Sequence, residues 1–73
     1  MHDPKRVEEA LLALLGAFEF ENGRVWKRFD FEVMRSLANQ GLISDPRGKS
    51  ESVRLTHEGL ARAKALADRL FGA

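Results

Sequence analysis

Between Asp30 and Leu60 the chain reads DFEVMRSLANQGLISDPRGKSESVRLTHEGL, and its punctuation allows one order of elements: helix, tight stop, β-hairpin, helix. Asp30 can cap a helix through its carboxylate, Phe29 and Met34 are spaced as a hydrophobic staple, and Gly41 supplies a left-handed stop. Leu42 is then placed to fold back on Leu37. Val33, Met34, Leu37 and Ala38 share the buried face of this helix, while Glu32, Arg35, Ser36 and Asn39 fall on or near its outside. Leu42 to Ser44 and Ser52 to Leu55 read as short strands joined by a loop that Pro46 and Gly48 turn; Val53 and Leu55 point one way, Ser52 and Arg54 the other. Thr56 caps the last helix, 56–71, along which Leu60, Ala63, Ala67 and Leu70 form a seam flanked by Leu66 and Phe71. A stripe half made of alanine permits close approach, either to another helix of the chain or to the same helix of a second subunit.

Upstream, Asp3-Pro4 is a helix start, and Val7, Leu11, Leu14, Leu15 and Phe18 recur on one stripe that Leu12 widens, predicting a helix over 4–20. Gly16 costs helix stability unless another element packs over it, so a crossing helix is expected there. Asn22-Gly23 is a turn signal, and residues 24–29 are left open between helix and strand. The apolar run from Ala10 to Phe18 behind Lys5 and Arg6 imitates a signal peptide, but Glu8 and Glu9 interrupt it and it is too short to span a bilayer; it is expected to be a core helix, with no membrane segment. The predicted architecture is a single α+β, mainly α domain over residues 1–73: helix, short link, helix, β-hairpin wing, helix, in other words an abbreviated winged helix.

The run Gly41-Leu42-Ile43, a turn-rich loop, then Val53-Arg54-Leu55-Thr56 and Glu58-Gly59-Leu60 resembles the end of many bacterial winged-helix regulators, in which the recognition helix ends in a Gly-Leu-Ile/Val step and a Leu-Thr-x-x-Gly step opens the helix after the wing. More narrowly, Ala17 to Leu60, with Trp26, Lys27, Phe29-Asp30 and GLISDP, resembles a family of small uncharacterised bacterial proteins known as a domain of unknown function. The first resemblance implies DNA binding; the second implies no activity. One departure from the regulator pattern is physical: the six residues Arg24 to Phe29 can make little more than about one and a half helical turns, so the supporting helix is missing or reduced to a turn or short strand.

With 73 residues the chain lies near the lower limit at which a hydrophobic core holds a fold alone, which makes a homodimer, through helix 56–71 or helix 4–20, a natural supplement. The absence of cysteine excludes disulfides and thiolate ligands and points to the cytoplasm. Net charge is only +1 but unevenly placed, at −3 over residues 1–23 and +3 over 24–54. Two functions follow. In the first, the domain binds double-stranded DNA, with Arg35, Arg47, Lys49 and Arg54 on phosphates and Ser36 and Asn39 as base readers; Arg24, Lys27 and Arg28 add charge, and Asp45 and Glu51 blunt the wing. In the second it is a protein-interaction or self-assembly module without nucleic acid, using an apolar patch drawn from Leu12, Leu66 and Phe71, with another protein as a candidate partner. Trp26 is expected to cover the core. His2 and His57 lack a second ligand, the acid pairs Glu8/Glu9 and Glu19/Glu21 are expected to be solvated, and the serines lack a partner base, so no enzyme, metal site or cofactor is expected.

Overall fold

The computed structural model describes residues 2–21, 23–27 and 29–72, so Asn22 of the expected turn and Arg28 of the basic set lie outside the described residues. The elements run α1 (Pro4–Phe18), β1 (Arg24–Trp26), α2 (Phe31–Asn39), β2 (Ser52–Arg54) and α3 (His57–Phe71). Asp3 and Asp30 cap α1 and α2, accepting from the Lys5 and Val33 amides at 3.0 and 3.1 Å. α2 ends where Gly41 takes a φ of +77°: the Leu42 amide bonds to the Leu37 carbonyl and the Gly41 amide to that of Ala38, a Schellman closure.

Residues 24–26, left open by the sequence, are strand, and among the described residues no helix stands between α1 and α2. β1 and β2 pair antiparallel, with Arg24 opposite Arg54, Val25 opposite Val53 and Trp26 opposite Ser52. The expected pairing of 42–44 with 52–55 is present as a single bridge, Ile43 to Leu55, plus a 2.8 Å bond from the Ser44 amide to the Arg54 carbonyl. That edge is short because only Ile43 to Asp45 separate the closure of α2 from Pro46, which has no N–H to offer a ladder. Alternation sends Val25, Val53 and Leu55 inward, and they are buried with Leu42 and Ile43 against Leu11, Leu12 and Leu15 of α1, Met34 and Leu37 of α2 and Ala63 of α3.

α1 and α3 run antiparallel and meet at Gly16, where a Cβ would lie 2.5 Å from the Ala63 carbonyl oxygen; the crossing helix expected there is α3. Gly59 is tighter still, since its Cβ would fall 1.8 Å from the Leu42 carbonyl oxygen. Thr56 fastens the same junction: its Oγ1 accepts from the Gly59 amide at 3.0 Å and donates to the Gly41 carbonyl at 2.7 Å, while its own amide bonds to the Leu42 carbonyl. The Gly-Leu and Thr-x-x-Gly steps are thus two halves of one clasp between the end of α2 and the start of α3.

Three expectations about the core are corrected. Leu12, named for an exposed patch, is 2% exposed, because it sits on the α1 face that α3 covers. Val7 and Leu70, placed on buried stripes, are exposed: nine-residue α2 is only about 13 Å long against about 22 Å for α1 and α3, so the outer ends of those helices project past it. Glu19 is not merely solvated, since its carboxylate takes Lys64 Nζ at 3.0 Å and the Gly23 amide at 2.8 Å, and Lys64 also donates to the Gly16 carbonyl. These bonds, the Lys64 one first, hold the Glu19 carboxyl below its ordinary value of 4.5.

Candidate functional site

The six residues marked out for nucleic acid do not gather at one place. Arg35, Asn39 and Arg47 share a polar cleft of about 200 Å³ with Ala38, Ile43, Asp45 and Pro46, between the outer face of α2 and the loop that follows it. Arg47 is answered inside this cleft: its Nη2 lies 2.7 Å from Asp45 Oδ2 and its Nε 3.0 Å from Oδ1. The Arg47 guanidinium pulls the Asp45 carboxyl down to about 2, with an added contribution from the Arg47 amide. Arg35 leans towards Glu32 at 3.7 Å. Ser36 faces inward and donates to Glu8 Oε2 at 2.5 Å, so the base-reading role drawn for it is taken up by a tie between α2 and α1. Lys49 stands exposed in the loop, and Arg54 lies on the outer face of the sheet opposite Arg24.

Other polar residues that looked like surface charge are likewise committed. Lys27 Nζ donates to the Pro46 carbonyl at 2.8 Å and to that of Gly48, pinning the loop from beneath. Glu8 accepts from Gln40 Nε2 at 2.9 Å as well as from Ser36, so the acidic first turn of α1 holds the end of α2. Only the pairing of an unmatched basic residue with a run of free loop carbonyls could have suggested the Lys27 role, and that needs the fold.

The second surface is apolar. Leu15, Phe18, Val25, Trp26 and Phe29 line a cavity of about 340 Å³ where the end of α1, the end of β1 and the approach to α2 converge. Phe18 is 68% exposed and Trp26 48%, while Leu15 and Val25 form its buried floor. Trp26 was expected to cover the core; strand alternation gives the inward position to Val25, and Trp26 instead packs beside Phe20, ring centroids 4.9 Å apart. Of the three residues named for an apolar patch, Leu66 is half-buried against the core and Phe71 is exposed at the far end of α3, away from this corner.

Among the described residues no group of three His, Cys, Asp or Glu side chains is placed to hold a metal ion, and no helix is long and apolar enough to cross a membrane.

A family model described as a domain of unknown function, DUF6429, matches residues 3–73. The chain is similar to an uncharacterised protein, y4hR, of Sinorhizobium fredii (strain NBRC 101917 / NGR234), with 42% identity over 69 residues, covering 94% of this chain and 93% of that one. No solved structure matches.

Proposed function

The chain belongs to that family of unknown function, and on its own geometry we propose that it is a non-enzymatic protein-interaction module that associates with a second copy of itself through the Phe18, Trp26 and Phe29 corner. The observation that carries this reading is three aromatic side chains, each more than a third exposed, around one cavity with an apolar floor. None of the residues lining it is charged. A two-fold contact lays the same patch against itself, so a charge-free patch is self-complementary where a charged one would oppose like to like. Of the two helices expected to carry a dimer, this favours α1, whose last residue is Phe18. That no supporting helix stands between α1 and α2 among the described residues also favours it, since α2 then has less purchase to enter a groove. The cysteine-free sequence supports a cytoplasmic location as part of this proposal, which fractionation of the expressed protein tests.

Sedimentation velocity over a concentration series is the test. Wild-type protein is expected to move from monomer to dimer, and Phe18→Ser/Phe29→Ser to stay monomeric with unchanged circular dichroism. Wild-type protein that remains monomeric at high micromolar concentration sinks the self-association reading.

A second reading, binding to double-stranded DNA, is supported by the cleft that unites Arg35, Asn39 and Arg47, to which Lys49 on the loop and Arg54 on the sheet would add charge from outside it. Here Asn39 would read base edges without Ser36. Anisotropy of a labelled random duplex decides it: binding should weaken with salt, and Lys49→Ala/Arg54→Ala should lower the slope by about one unit per charge removed. Absence of binding at low salt ends this reading.

A further inference from the structure

The outer face of the sheet carries an arrangement of which the second reading uses Arg54 alone. Arg24 and Arg54 are directly opposite on β1 and β2. The Leu55 amide bonds to the Gly23 carbonyl and the Lys27 amide to that of Glu51, so the Arg24–Arg54 pair falls between hydrogen-bonded positions, where opposing side chains come closest. Like charges placed so are unfavourable without a counter-charge. Glu21 supplies part of one: its carboxylate meets Arg24 Nη1 at 2.6 Å and its carbonyl accepts from Arg54 Nη1 at 3.4 Å.

Three serine hydroxyls surround the pair, and in the bonds to Arg24 and to the backbone amides their oxygens accept, which keeps their protons available to donate. Ser52 Oγ accepts from Arg24 Nη2 at 2.8 Å and from Nε at 3.3 Å, which occupies both its lone pairs. Among the described residues its remaining contact is Ser50 Oγ, at 3.4 Å, beyond an ordinary hydroxyl bond. Ser50 Oγ already accepts from the Ser52 amide, and Ser44 Oγ from the Arg54 amide at 2.9 Å. Arg24, Arg54 and these three serines line one hollow of about 240 Å³, with Val53 between them. Arg24 is held in place by Ser52 and Glu21 and by its position 5.5 Å over the Phe20 ring, so its part of the hollow is organised in advance.

We infer that this hollow is an oxyanion site that takes a phosphate group, with Arg24 and Arg54 supplying charge and Ser44, Ser50 and Ser52 supplying hydroxyl donors. A tetrahedral anion offers acceptors in several directions and no proton that must be received, which is the complement of a site lined with donors. Free phosphate or a phosphomonoester and the phosphodiester of a nucleic-acid backbone share this chemistry.

The test is a titration of inorganic phosphate into nitrogen-15-labelled protein, with sodium chloride of matched ionic strength as control. Saturable shifts are expected at the Ser44, Ser50, Ser52 and Arg54 amides and the Arg24 Nε–H, absent with chloride. Ser50→Ala/Ser52→Ala, which leaves net charge unchanged, should weaken phosphate binding about tenfold, and Arg47→Ala/Lys49→Ala, which removes two charges outside the hollow, should leave it within about twofold. Equal binding by the serine variant, or an equal loss in both variants, overturns the site in favour of general positive charge. A short duplex that displaces phosphate from these signals assigns the phosphodiester source; phosphate retained in its presence assigns the free or monoester form.

Discussion

The clasp around Thr56 and the corner around Trp26 are built on opposite terms. At the clasp, the Gly41 and Leu42 carbonyls, the Thr56 hydroxyl and the Gly59 amide all answer one another, and no room remains for a methyl group at Gly59. At the corner, Phe18, Trp26 and Phe29 keep much of their surface in water around an open cavity. Sequence steps that look like signatures can therefore be devices of assembly, and the surface with spare interaction capacity can lie where the sequence suggests core.

That contrast predicts a gradient of tolerance, steepest at the clasp. Gly59→Ala would normally help a helix by about 1 kcal/mol. Here the new Cβ meets backbone, which cannot turn aside as a side chain can, and the variant should lose about 3 kcal/mol, the upper end of overpacking costs. Urea denaturation measures it, and a stabilised Gly59→Ala would mean that α3 can slide away from Leu42. Thr56→Val, close in shape, should lose about 1 kcal/mol in the same assay, from the missing cap on the Gly59 amide.

An intermediate response belongs to Glu19, which joins the end of α1 to α3 and to the turn before β1. Its carboxyl sits below 4.5 in the folded chain, so on acidification the unfolded chain takes up the proton first. Its contribution is complete above the unfolded value and is lost as pH falls from about 4.5 through the folded value. Wild-type protein should lose stability between pH 5 and pH 3 more steeply than Glu19→Gln, by urea denaturation at each pH; parallel slopes would show that the latch contributes nothing.

How much of this was legible follows from the range of each signal. Caps at Asp3, Asp30 and Thr56, the stop at Gly41 and the inward set Val53 and Leu55 are local chemistry, and the structure has them where the sequence predicts. Gly16 was legible as a crossing because a helix tolerates glycine there only for a neighbour's sake. The strand at 24–26 was not: three residues give too little periodicity, and its pairing to β2 depends on a partner some 28 positions away. The candidate site suffered for the same reason. Ser36 is consumed by Glu8 and Lys27 by the loop carbonyls, both contacts that cross elements, while Trp26 turns outward through a strand register that composition does not encode.

The smallest effect on stability is expected at the corner, and it bears most on function. Phe18 closes α1 with 68% of its surface exposed, so Phe18→Ser removes little buried area and should change the unfolding free energy of the monomer by no more than about 0.5 kcal/mol. At concentrations where the wild type is dimeric, association adds to its apparent stability and the variant should fall behind, by a margin that grows with protein concentration. Thermal melts at two concentrations separate these contributions. A loss of about 2 kcal/mol or more that does not depend on concentration would make Phe18 part of the packing, and the corner would then resemble the clasp; a concentration-dependent difference alone leaves the two regions as different as their geometry makes them.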